Sequence, residues 1–149
     1  MTTDEAVIGK LFDFFTEIGI IAQLNEAAIQ KQLPEGMSHA QFVLLHHLCR
    51  LGGEWTPARL ADALQVTRGA ITNTVKRLEG KLFVSVRAAG DDGRSKLVSL
   101  TEAGLAARNA ALARLVPEVS ELAGELPLAE ISAMLPALKA VRKVLDEHR

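Results

Sequence analysis

The sequence predicts an α+β fold that is mostly helical. Three observations carry this. Apolar residues recur at helical spacing over most of the chain, caps or breakers punctuate those segments, and one short region alone alternates like paired strands. At 149 residues the chain suits one domain with a real core, and 48% hydrophobic content excludes a disordered chain.

The elements follow in order. Thr2 and Glu5 form a capping box, from which Val7, Leu11, Phe14, Phe15, Ile18, Ile21 and Ile29 define a first helix ending near Pro34-Glu35-Gly36. Ile8, Phe12, Ile20 and Leu24 widen its apolar surface well beyond one stripe. Ser38 with Gln41 is a second capping box, opening a helix that stops at Gly52-Gly53. Phe42, Val43, Leu44, Leu45 and Leu48 surround its axis, so it should be buried on nearly all sides. Thr56-Pro57 sets an N-cap before a proline at the first helical position, starting a short helix to about Leu64. Thr67 caps the next helix, which runs to about Lys81. Phe83–Arg87 and Lys96–Leu100 read as strands. Thr101 starts an alanine-rich helix in which Pro117 predicts a kink or break near Leu115–Val116. Leu128, Ile131, Leu135, Leu138, Val141 and Leu145 give a last helix to Asp146.

A single cysteine excludes an internal disulfide framework and points to a reducing cytoplasm. The acidic start MTTDEAV does not fit a secretory signal, and no apolar run approaches the roughly 20 residues of a membrane span. No membrane role is expected.

Overall charge is −1, but its distribution is uneven. From Thr56 to Leu100, eight basic residues stand against four acidic ones, which makes that segment +4 and the remainder −5. Such asymmetry calls for a partner to the basic part.

On a helical wheel, Ile71, Val75, Leu78 and Leu82 fall on one stripe, with Arg68, Gly69, Thr72, Asn73, Lys76 and Arg77 opposite. This helix follows a short capped helix through a tight Gln65-Val66 connection, which is the helix-turn-helix arrangement. There the second helix enters the DNA major groove. Arg68 can donate twice to guanine, Asn73 can pair bidentately with adenine, and Thr72 offers a hydroxyl and a methyl. Lys76 and Arg77 suit phosphates, which position without reading sequence. Thr67 and Lys96 complete the expected contact set around them. The long glycine- and aspartate-rich tip from Ala88 to Arg94 then makes the hairpin a wing. Arg94 is the residue to enter the neighbouring minor groove, and Asp92 can orient its guanidinium.

The segments TRGAITNTVKRLE and DDGRSKLVSLTEAG resemble the MarR family of winged-helix transcription regulators, and the resemblance extends over essentially the whole chain. It implies a DNA-binding lobe over residues 37–100, flanked by dimerisation helices over 1–36 and 101–149. It also implies a symmetric homodimer, a repressor and an effector crevice between the dimer helices and the lobe. Phe14, Phe15, Met37, His47 and Trp55 are the candidate lining for a small aromatic effector. Two positions depart from the family pattern. Wings commonly read D-x-R-D-x-R-S-K, whereas Ala89 and Asp91 replace the first Asp and Arg here, implying weaker minor-groove affinity. Leu82 stands where members often have glycine, so Gly80 is expected to end the helix.

The widened first helix and the apolar last helix argue for a homodimer independently, because exposing both would exceed what soluble monomers tolerate. The partner is then double-stranded DNA with a pseudo-palindromic operator. Enzyme motifs are lacking, and neither a cofactor nor a metal is expected. His39 and His46 lie seven residues apart, about 10.5 Å along a helix, too far to share one zinc. Two alternatives stand beside the regulator reading. One is a winged-helix protein-interaction module without DNA binding, and the other is a thiol- or metal-sensing regulator using Cys49.

Overall fold

The computed structural model describes residues 3–90 and 95–149. Two compact units divide the chain, residues 1–115 and 116–149. The described elements are α1 (Thr3–Gln32), α2 (His39–Leu51), α3 (Pro57–Leu64), α4 (Arg68–Gly80), β1 (Val84–Ala89), β2 (Ser95–Leu100), α5 (Glu102–Ala123) and α6 (Leu128–Glu147). This is the predicted mostly helical α+β fold.

In the first unit, caps decide where helices begin. Ser38, Thr56 and Thr67 each hold an extended backbone, and their hydroxyls accept from the amides of Gln41, Arg59 and Ala70 at 3.2, 3.2 and 3.1 Å. The reciprocal half of the Ser38 box is spent elsewhere: the buried Gln41 Oε1 accepts from Lys81 Nζ at 2.7 Å. The Thr2 cap lies outside the described residues.

The core is built around α2, whose Leu44, Leu45 and Leu48 are fully buried with Leu60 of α3, Leu78 of α4 and Val98 of β2. Each such side chain contributes about 1.5–3 kcal/mol by leaving water. β1 and β2 pair antiparallel from Val84↔Leu100 out to Ala89↔Ser95. The strands therefore reach past the expected Arg87, and the connection spans 90–94, shorter than the Ala88–Arg94 tip read from sequence. Trp55 adds a bridge unforeseen in the sequence, its N–H donating to Val98 O at 2.9 Å and its carbonyl accepting from Val98 N at 2.8 Å.

The junction after α4 corrects a second expectation. Gly80 is the last residue of the helix, as expected, but Leu82, assigned to its apolar stripe, takes the left-handed φ of 63° that glycine usually supplies. Phe83 N donates to Leu78 O and Leu82 N to Glu79 O, which is the Schellman closure with leucine at its left-handed position. Leu82 is thus 73% exposed and leaves the apolar stripe assigned to it. Thr101 locks the same corner: its hydroxyl donates to Leu82 O at 2.6 Å and accepts from Gly104 N at 3.0 Å. Gly104 has no room for a Cβ, which would overlap Phe83 O and approach Leu100 Cδ1 to 2.8 Å.

α5 runs through Pro117 without interruption of its span, and the boundary between the two compact units falls at Leu115 and Val116, where a kink or break is expected. The proline's missing amide removes one intrahelical bond, which the turns on either side outweigh. In the second unit α6 contains Pro136 and has no buried residue; Leu128, Met134, Leu135, Val144 and Leu145 are all about half exposed or more. Among the described residues, no helix is long and apolar enough to cross a membrane.

Candidate nucleic-acid interface

α4 is two-faced because its sequence is. Ile71, Val75 and Leu78 are buried against the core, while Arg68, Gly69, Thr72, Asn73, Lys76 and Arg77 are all exposed. Arg68, Lys76, Arg77 and Lys96 of β2 are exposed and form no ion pair among the described residues. Thr67 caps the helix and holds its first turn rigid. Thr72 is more constrained than its position suggests. Its hydroxyl donates to Arg68 O at 2.9 Å, leaving the methyl and oxygen lone pairs to meet a ligand.

α3 and α4 meet through Gln65, which adopts φ 56° and ψ 47°. Val66 N donates to Ala61 O at 3.1 Å and Gln65 N to Asp62 O at 3.4 Å, closing α3 as Leu82 closes α4. Both helices of the helix-turn-helix therefore end at left-handed residues that are not glycine.

The wing is anchored by a pair missed in the sequence. Arg87 of β1 donates from Nε to Glu54 Oε2 at 2.6 Å and from NH2 to Oε1 at 2.9 Å. These hydrogen bonds first, and the Arg87 charge with them, lower the Glu54 carboxyl pKa against the desolvation that would raise it. Only long-range proximity signals this pair, 33 residues apart in the chain. The assignments of Asp92 and Arg94 lie outside the described residues.

The five candidate effector residues fall in three places within one chain. Phe14 and Phe15 pack edge to face at 5.3 Å on α1. Met37 is buried in the core beside a cleft that Lys81, Phe83 and Ala107 also line. His47 meets the Trp55 ring edge-on at 4.7 Å, and Arg59 lies over that indole at 4.4 Å. Burial first, and the Arg50 charge second, lower the His47 pKa, and its Nε2 is buried without a partner among the described residues. Among those residues, no three His, Cys, Asp or Glu side chains group as a metal site.

The comparisons with known proteins agree with this geometry. Residues 35–95 match the sequence model of the MarR family. A cysteine-to-serine mutant of MarR from E. coli, solved with operator DNA, is similar at 27% identity and a TM-score of 0.74, over 89% of this chain and 95% of that one. BldR from Sulfolobus solfataricus shares the fold over 99% of both chains, at 22% identity and a TM-score of 0.76. BpsR from Bordetella bronchiseptica, whose DNA binding is regulated by 6-hydroxynicotinic acid, shares it over 87% of this chain and 98% of that one, at 22% identity and a TM-score of 0.76. Residues 35–95 thus match the MarR family, and the helix-turn-helix, paired wing strands and flanking long helices are those of its winged-helix transcription regulators.

Proposed function

We propose that the chain is a sequence-specific, double-stranded-DNA-binding repressor that acts as a cytoplasmic homodimer and releases its operator on binding a small effector. The observation that carries this is the exposed face of Arg68, Thr72, Asn73, Lys76 and Arg77 on a helix whose other face is buried. A protein-docking face would present apolar anchors, and α4 contributes none to the exposed large hydrophobics. Thr67, Arg68, Thr72 and Asn73 are assigned to the groove and Lys76, Arg77 and Lys96 to phosphates, with Asp92 and Arg94 at the wing tip. The lobe is assigned to residues 37–100 and dimerisation to the helices on either side. The response of BpsR to 6-hydroxynicotinic acid supports an aromatic effector, for which Phe14, Phe15, Met37, His47 and Trp55 remain the assigned lining.

The test is operator selection from random duplexes, followed by variants. Arg68→Ala should cost about 1–3 kcal/mol and relax preference at one base pair, whereas Lys76→Ala should weaken all sequences alike. Selected sites bound equally well by both variants would overturn the assignment of this face.

A further inference from the structure

We propose that Arg59 of α3, held over the indole of Trp55, is a pre-organised phosphate contact that grips the DNA backbone beside Lys96. The inference rests on the DNA-binding reading above and adds to it a residue on the first helix of the helix-turn-helix.

Trp55, the only tryptophan of the chain, is fixed from three sides. Its backbone pairs in both directions with Val98 of β2, its indole Nε1 donates to Gly52 O at 2.8 Å, and His47 meets its ring edge-on at 4.7 Å. The ring is therefore a rigid platform. The Arg59 guanidinium lies over it, with Cζ 4.4 Å from the ring centroid. The root of that side chain is fixed as well, since Arg59 N donates to Thr56 Oγ1 at 3.2 Å.

Stacking occupies the flat face of a guanidinium and leaves its in-plane N–H groups for acceptors. Arg59 is exposed, and among the described residues no carboxylate pairs with it and no acceptor takes its side-chain donors. Arg87 differs in this respect, because Glu54 fills its fork. Of the two arginines beside the Glu54-Trp55 segment, one is matched within the chain and the other is held open.

Strand register supplies a second cation. Trp55 pairs with Val98, and Val98 pairs with Val86. Residues two apart on a strand share a face, so Lys96 lies on the Trp55 face of the sheet, about 7 Å nearer the wing tip. Lys96 is exposed too. In a helix-turn-helix the second helix enters the groove while the first crosses the DNA backbone, so a fork on α3 meets phosphate oxygens, which it can bind bidentately. An arginine already stacked loses less side-chain freedom on gripping them than one free in water.

Salt titrations on duplexes selected by the wild-type protein test this. The affinity advantage of wild type over Arg59→Gln should grow about eightfold for each tenfold fall in salt, and equally on every sequence. Arg59→Lys keeps the charge without the fork, so it should restore the salt slope and only part of the affinity. Trp55→Leu should keep the slope, because the cation remains, and lose about two- to fivefold in affinity. A scan of single methylphosphonates along the duplex should find a neutralised phosphate that weakens wild type and leaves Arg59→Gln unaffected. Thermal melts establish that each variant is folded, and the Arg59 variants alone decide the contact should Trp55→Leu not fold.

Tight wild-type binding with an unchanged slope in Arg59→Gln, a loss that differs between sequences, a folded Trp55→Leu that binds as tightly as wild type, or the same methylphosphonate profile in wild type and Arg59→Gln would each overturn the proposal. A wild-type protein that selects no duplex at all would overturn the DNA-binding reading, and this contact with it.

Discussion

Arg87 lies fork to fork on Glu54, tying the first wing strand to the α2–α3 connection beside the Trp55–Val98 bridge. Counted by sequence, Arg87 is one of eight basic residues between Thr56 and Leu100. In the folded chain its charge is already matched. The pair's high exposure limits its contribution to stability but leaves its effect on the electrostatic footprint intact.

The salt dependence of operator binding should show this. Each phosphate neutralised steepens the slope of log K against log salt by about 0.9. Lys76→Ala should therefore flatten it by about 1, Arg87→Gln should leave it nearly unchanged, and Glu54→Gln should steepen it by freeing a cation. An Arg87→Gln slope as shallow as that of Lys76→Ala would place Arg87 on a phosphate.

Leu82 supplies a second prediction. A left-handed leucine costs about 1–2 kcal/mol in backbone strain, and its exposed side chain recovers little by burial. Glycine removes the strain but adds about 0.5–1 kcal/mol of chain entropy in the unfolded state. Leu82→Gly should then stabilise the protein by about 0.5–1 kcal/mol in denaturant unfolding, and Leu82→Ala, which keeps the Cβ, should not. Equal effects of the two would locate the cost in the side chain instead.

What was legible in the sequence is what local chemistry encodes. Ser38, Thr56, Thr67 and Thr101 each mark a start because a hydroxyl cap needs only its own next turn. The two faces of α4 were legible for the same reason, since period and polarity lie within 13 residues. Pairings across long separations were not: Glu54 with Arg87, His46 with Arg108 and Trp55 with Val98 depend on how α2, β1, β2 and α5 pack. Leu82 misled because its apolar side chain continues the helical period, whereas the Schellman closure ends the helix two residues earlier. Pro117 leaves the span of α5 continuous, as helical bonds around it tolerate one missing donor.

The two adjacent histidines predict an acid-sensitive fold. Burial and neighbouring arginines lower both pKa values below 6.5, so the folded state favours the neutral rings. The unfolded chain then binds more protons just below pH 6.5, and stability falls as pH drops through that value toward the folded pKa values. Above it the contribution is complete. Melting temperatures should decline from pH 7.5 to 5.5, and His47→Gln should decline less steeply than wild type. A decline identical in His47→Gln and in a His46→Gln, His47→Gln double variant to that of wild type would assign the acid sensitivity to other groups.

The last prediction concerns assembly. In the first unit, α1 exposes Val7, Ile8, Leu11, Phe12, Phe15, Ile18, Ile20, Ile21 and Leu24, with Phe12 at 70% and Leu24 at 66%. In the second, α6 buries none of its residues although every one of its turns carries Leu, Met or Val. Each of these faces separately is larger than an ordinary monomer leaves in water, and a second copy can cover both with the same residues through a two-fold axis. Two recognition helices related by that axis should select a pseudo-palindrome with half-sites about 10–10.5 bp apart. Sedimentation equilibrium at low micromolar concentration should give a dimer. Phe12→Glu with Leu24→Glu, which buries carboxylates in that face, should shift it toward monomer and weaken operator binding together. A folded wild-type monomer, or a Phe12→Glu, Leu24→Glu variant that dimerises as tightly as wild type, would show that α1 is not the interface.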